Sequence, residues 1–296
     1  MRELYCAVCN SSRYRVRYPE RIPSLKTLDF SARRAPQKHH AQMVECVNCG
    51  LVYSNPYFDD NLLRTLYQDA AYIDEQQLEN MAADYFRAFS GAVEHLDHHI
   101  RILEIGCANG FFLRRLANAG YSDIVGIEPG KDAVEHAEPS IRNHIINAFM
   151  QPGLFSPASF DAVCCFQIFD HLPDPNSFLR EVHTILKPGG ILLAINHNIR
   201  ALVTKILGEK SPMYDIEHIY LFDKKTIRQI LSANGFAVTL VANLTNSYTL
   251  GYAVKMFPLQ PPLKRAITRA LEVAAINTLT FRIPAGNMVS VARKES

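Results

Sequence analysis

Residues 102–112 read "ILEIGCANGFF". Ile102 to Ile105 have the make-up of a short buried strand. From Phe111 onward, "FFLRRLANAG" sets apolar residues at helical spacing and stops at Gly120. Between the two lies a turn containing Gly106, Ala108 and Gly110. A strand, a small-residue turn and a helix in that order can receive a nucleotide-like ligand. Small side chains let the backbone come close to it, and the first amides of the helix point at its negative groups.

Two ligand patterns compete for this turn. A dinucleotide loop follows G-x-G-x-x-G. Those places here hold Gly106, Ala108 and Phe111, so two of three glycines are missing. An S-adenosylmethionine loop has an acid and then G-x-G-x-G. Here these are Glu104, Gly106, Ala108 and Gly110, and alanine is the one departure. Glu104 is expected to face the cationic end of that cofactor. The plain alternative is a strand–helix turn with no ligand. The second strand, "DIVGIE", ends at Glu128, 22 positions beyond Gly106. An acid there can accept hydrogen bonds from both hydroxyls of a ribose. Asn147 ends a weak third strand, "NHIIN", placed to read an adenine edge or to serve as an ordinary turn residue.

Outward from this unit, strands and helices keep alternating. "FDAVCCFQ" reads as a buried strand, "NSFLREVHTIL" as a helix ending at the turn "KPGG", and "ILLAIN" as the next strand. "DKKTIRQILSANGF" is a helix with a glycine stop, and "AVTLVAN" and "MVSVARK" close the series. This alternation predicts an α/β fold: a Rossmann-like, doubly wound, mostly parallel sheet with helices on both faces. Residues 198–222 and 243–287 interrupt it as insertions, natural walls for a pocket beyond the carboxyl ends of the strands. Residues 61–99 show helical spacing and predict two or three helices over the cofactor site.

"ILEIGCANGFFL", "GIEP", "FDAVCCFQIFDHLPDP" and "LKPGGILLAI" resemble the ordered motifs of class I S-adenosylmethionine-dependent methyltransferases, over about residues 100–196. The resemblance implies a seven-stranded sheet whose last strand is inserted antiparallel. It also implies a methyl-transferring enzyme whose 100–296 region is the catalytic domain.

Seven cysteines with no export signal argue against a disulfide framework. Cys6, Cys9, Cys46 and Cys49 form two C-x-x-C pairs with 36 residues between them. Four thiolates satisfy a tetrahedral structural zinc ion. A redox pair, or four reduced thiols, is the alternative. The stretch from Cys6 to Tyr72 is similar to the zinc-ribbon N-terminus of certain class I enzymes, including sugar C-methyltransferases and enzymes of polysaccharide or natural-product pathways. Residues 1–60 are thus expected to form a zinc-ribbon module.

For the transfer itself, residues ending the fourth and fifth strands are best placed: Gln167 beside the cofactor, then Asp170 and His171, and Asn196 and His197. His171 and His197 are the leading candidates for a general base, since histidine titrates near neutrality. His218 lies in the following insertion. The doublets His39-His40 and His98-His99 read as surface residues.

With 31 basic and 29 acidic residues, nothing demands nucleic acid as a partner. "FQIF" also stands where base-methylating enzymes carry a tetrapeptide such as N-P-P-Y. The expected acceptor is a small molecule or a glycan or natural-product precursor, methylated on oxygen or carbon. The apolar stretch within 243–287, with Lys255, Lys264, Arg265 and Arg269, reads as packing or a dimer contact, or as a wall for a lipid-linked or bulky glycan acceptor. A regulatory, non-catalytic module on the same fold is the rival reading. No apolar run is long enough to span a bilayer, and a cytoplasmic location is the expectation. Oligomeric state is not legible.

Overall fold

The computed structural model describes residues 2–22, 39–58 and 77–295, together with isolated positions between 62 and 68. Its centre is a seven-stranded sheet in the order β10-β13-β8-β7-β4-β5-β6. These strands are β4 (Ile102–Ile105), β5 (Ile124–Ile127), β6 (Ile145–Ile146), β7 (Phe160–Phe166), β8 (Leu186–His197), β10 (Phe236–Asn243) and β13 (Asn287–Lys294). Strands β4 to β8 pair in parallel, while β13 runs antiparallel between β8 and β10. This is the class I methyltransferase sheet expected from the motifs.

The strands are apolar on both faces because both faces are covered. Along β7, Val163 and Cys165 point into one buried cluster, and Ala162, Cys164 and Phe166 into the other. Cys164 and Cys165 are therefore core residues. The first cluster holds the helices Pro175–Ile185 and Lys224–Ala233; the second holds the helices Leu78–Ala92 and Phe111–Asn118. Asp174 and Asp223 cap two of these helices by accepting backbone N–H bonds.

Two expectations need correction, the "KPGG" turn and the surface position of His40. "KPGG" is not a turn outside the sheet: β8 begins at Leu186 and runs through it, with a register shift against Phe160 and Ala162. Of the helices expected in residues 61–99, the structure describes Leu78–Ala92 and helical positions at Leu62, Arg64, Thr65 and Gln68, while most of residues 59–76 lie outside the described residues. His40 is fully buried, with its ring on Ala41 O and Glu209, because the segment carrying it packs inside the N-terminal unit. His98 and His99 are exposed, as expected.

The N-terminal unit is a four-stranded antiparallel sheet, β1-β2-β3-β9. Strands β1 (Tyr14–Tyr18), β2 (Met43–Cys46) and β3 (Val52–Ser54) come from the cysteine-bearing segment. Strand β9 (Tyr220–Leu221) comes from the 198–222 insertion and pairs with β3. Arg200 ties the two units further, bonding Glu45 at 2.9 Å and lying 3.5 Å from Asp223. The 243–287 insertion forms a two-stranded ribbon, β11 (Asn246–Thr249) with β12 (Thr280–Ile283), and the helices Leu250–Met256 and Pro261–Val273.

Candidate active site

The chain order reverses between β4 and β7, and ligands in such sheets bind beyond the carboxyl ends at that point. A cavity of about 1020 Å³ opens there. That exceeds the space a single drug-sized ligand needs. Glu104, Gly106, Ala108, Glu128 and Gln167 line one end; His171, His197 and His218 line the other.

The loop after β4 is shaped for close approach. Gly106 and Gly110 have φ of +77° and +74°. A Cβ on either would fall 2.5 Å from a methyl of Ile168 or Ile141, so only glycine fits both the conformation and the space. Ala108 adopts φ +48° despite its methyl group, and so takes the backbone conformation that a glycine would adopt without strain. Its N–H donates to Glu128 Oε2 at 2.9 Å, and Gly130 N–H donates to Oε1 at 2.8 Å. The Glu128 carboxylate is thus fixed at the cavity wall.

Glu104 is only 1% exposed, and its Oε2 has no hydrogen-bond partner among the described residues. Burial, and then the charge of Glu128, push its carboxyl well above the usual carboxylate range. Gln167 ends β7 at φ +56°, with a buried, unpartnered Oε1. Strained backbone and orphaned acceptors on one cavity wall suit a cationic, hydroxyl-bearing ligand. S-adenosylmethionine, with an amine, a sulfonium and a ribose, has those groups. Asn147 stands apart. Its amide donates to Glu128 O and Pro129 O, and Ala148 and Phe149 line the cavity in its place.

At the other end, His171 Nδ1 lies 3.7 Å from Glu217 Oε2, and His197 Nε2 lies 4.0 Å from Asp170 Oδ2. The His218 ring centroid is 5.0 Å from those of both His171 and His197. Burial holds the His171 ring down at about 4, although Asp170 pulls the other way; His197 is lowered for the same reason. Both rings are therefore neutral near pH 7.

A family model described as a methyltransferase domain matches residues 75–241, more than half of the chain. The chain belongs to this methyltransferase family. Together with the fold, this makes it a class I S-adenosylmethionine-dependent methyltransferase. Among curated relatives, the ubiquinone biosynthesis O-methyltransferase of Colwellia psychrerythraea is 29% identical over 119 residues, covering 37% of this chain and 48% of the relative. That of Actinobacillus pleuropneumoniae is 32% identical over 120 residues, covering 36% and 51%. The chain thus spans about half the length of these relatives. Of solved structures, the cyclase SpnF superposes with a TM-score of 0.50 at 20% identity, covering 73% of this chain and 82% of that one. The chain solved in complex with the Haloferax volcanii Trm112 methyltransferase activator gives 0.51 at 16%, covering 74% and 93%. Both likenesses concern the fold alone.

The methyltransferase's four N-terminal cysteines converge as a separate group. Cys6 and Cys49 Sγ are 3.3 Å apart, Cys9 and Cys46 3.5 Å, and all four lie within 4.8 Å of one another. A tetrahedral ion with bonds of about 2.3 Å sets its sulfurs roughly 3.8 Å apart, so the spacing fits zinc. Each pair is followed by a left-handed residue, Asn10 (φ +55°) and Gly50 (φ +87°), whose N–H donates back to the carbonyl of the pair's first cysteine. Backbone N–H groups of Cys49 and Asn48 outweigh burial and hold the Cys46 thiol at about 7, while burial raises Cys49 to about 11.

Reading the sequence missed Glu217 as the partner of His171, and the convergence of His218 with Asp170. The one signal was the acid–histidine pair in "DIEHIYLF", directly before a strand. The insertions supply the acceptor-side wall, through Met213, Tyr248, Tyr252, Phe281 and Ile283. Among the described residues, no helix is long and apolar enough to cross a membrane.

Proposed function

We propose that this enzyme methylates an oxygen of a small, largely apolar hydroxylated acceptor, with His171 as the general base. One observation carries the reading. A largely buried group of three histidines and a loop shaped for S-adenosylmethionine line one continuous cavity. The cofactor supplies a methyl group on a positively charged sulfur. On this reading Gly106, Ala108 and Gly110 admit its backbone-facing end, and Glu104 neutralises its cationic groups. Glu128 accepts from the ribose hydroxyls, and Gln167 offers its Oε1 from the end of β7.

The acceptor lies against Met213, Tyr248, Tyr252 and Phe281, which favours an apolar body over a glycan. His171 takes the hydroxyl proton as the oxygen attacks the methyl carbon, and the carbon–sulfur bond breaks. Glu217, 3.7 Å from Nδ1, orients the imidazole and stabilises the imidazolium. His197, whose ring lies 5.0 Å from that of His218, acts on position rather than as the base. O-methylation by the relatives named above supports the choice of oxygen over carbon. Cys6, Cys9, Cys46 and Cys49 hold a structural zinc ion in residues 1–60. Helix Leu78–Ala92, with Met81 and Tyr85 on the cavity wall, covers the cofactor, and residues 100–296 carry the transfer.

Incubation with methyl-labelled S-adenosylmethionine and a panel of small phenols, C–H acids and nucleotide sugars tests the reading. Label should enter the phenols. His171→Ala should keep cofactor affinity but lose about 10²- to 10⁴-fold in turnover. Transfer to nucleotide sugars alone, or an undiminished rate in His171→Ala, would overturn it.

A further inference from the structure

We infer that Asp170, His197 and His218 form a binding site for one divalent transition-metal ion at the acceptor end of the cavity. Three separate segments bring them together. Asp170 lies in the single turn Phe169–His171 after β7, His197 ends β8, and His218 precedes β9. One ligating atom from each lies within 4.8 Å of the others.

The surroundings hold each ligand in the form a metal needs. His218 Nδ1 lies 2.9 Å from the carbonyl of Met213. A carbonyl only accepts, so Nδ1 is the donor, which leaves Nε2 as the nitrogen able to ligate. His197 Nδ1 lies 3.1 Å from Asn287 Oδ1. Asn287 in turn donates through Nδ2 to Asn246 Oδ1 at 2.9 Å, which fixes its oxygen toward the histidine. His197 Nε2 is therefore the lone-pair nitrogen, and it is the atom facing Asp170. Outer hydrogen bonds that set the tautomer in this way are the regular support of metal-bound histidines.

Asp170 gives the independent sign. It is 2% exposed, and neither carboxylate oxygen accepts a hydrogen bond among the described residues. A buried carboxylate without donors is costly, and a cation bound between it and the two imidazoles removes that cost.

Two imidazoles and one carboxylate suit a borderline ion such as zinc, iron(II), cobalt(II) or manganese(II) better than magnesium, and they leave coordination positions open toward the cavity. In the proposed methyl transfer, on which this role rests, the acceptor hydroxyl would dock at that open position. Its O–H bond would break with the proton passing to His171 as the oxygen attacks the methyl carbon, whose bond to sulfur breaks to release S-adenosylhomocysteine. Binding of the ion itself does not depend on that reading.

The full chain, stripped with chelator and reconstituted with cobalt(II), tests the site. Two equivalents per chain are expected. One should show the intense thiolate-to-metal absorption of the cysteine site, and the other should lack it. Asp170→Asn and His197→Ala should each retain the thiolate band and bind one equivalent instead of two. Uptake of only one equivalent by the wild type, or a second equivalent that persists in both variants, would overturn the inference. S-adenosylhomocysteine affinity, measured on the same samples, shows that the variants are folded. It also separates failure of the metal site from failure of the methyltransferase reading.

Discussion

Replacing Glu128 with glutamine tests the cofactor wall most finely, because the side chain keeps its shape. In the wild type each carboxylate oxygen accepts one backbone N–H, from Ala108 and Gly130. In the glutamine variant, one of these N–H groups must face an NH₂ group. Losing one hydrogen bond to a charged acceptor is worth about 1.5–3 kcal/mol. Each kcal/mol lowers the melting temperature by about 2–4 °C in a protein of this size class. Binding suffers separately. Two ribose hydroxyls that met a carboxylate now meet a neutral amide, and each bond weakens by about 1–1.5 kcal/mol. Together these amount to roughly 30- to 150-fold in Kd. Calorimetric titration of Glu128→Gln with S-adenosylhomocysteine measures this directly. A folded variant binding within about threefold of the wild type would show that Glu128 does not hold the ribose.

Glu104→Gln should separate stability from binding. The raised carboxyl pKa means that the folded, cofactor-free chain holds a proton that the unfolded chain releases above about 4.5. Stability is therefore lost as pH rises above that value. The glutamine variant should melt higher at pH 8, with a shallower pH dependence, yet bind S-adenosylmethionine more weakly; lower melting together with normal binding would refute the role. Ala108→Gly exchanges about 1 kcal/mol of left-handed strain for a similar entropic cost, so its melting temperature should stay within about 3 °C of the wild type. Disabling the four-cysteine site alone, by Cys46→Ser, should reduce turnover more than cofactor affinity. Strand β3 pairs with β9, and Ser54 Oγ donates to His218 O at 2.9 Å, so the ribbon braces the acceptor wall. Kinetics and calorimetry of Cys46→Ser against the wild type, with the Asp170, His197 and His218 group intact in both, measure this, and unchanged turnover by the variant would contradict it.

The loop end of the candidate site was readable as a unit because it is local. Glu104, Gly106, Ala108 and Gly110 fall within seven consecutive residues, and a strand–turn–helix unit leaves their backbone little choice. Glu128 follows from the next strand of the same unit. The acceptor half was legible only as single histidines. Asp170, His197, His218 and Asn287 meet through four separate chain segments, and no spacing rule links them. Asn147 shows the limit of register arguments: β6 is two residues long, and the side chain turns back onto the preceding turn instead of into the cavity. The ribbon's fourth strand was hidden for a similar reason. Tyr220 and Leu221 carry no strand pattern by themselves and become one by pairing with Val52 and Tyr53.

A crystal structure with S-adenosylhomocysteine tests the central claim most directly. The account predicts ribose hydroxyls on Glu128, the amino-acid end over Gly106 and Glu104, and sulfur directed across the cavity toward His171. A cofactor bound elsewhere, or with its sulfur facing away from the histidine group, would contradict it.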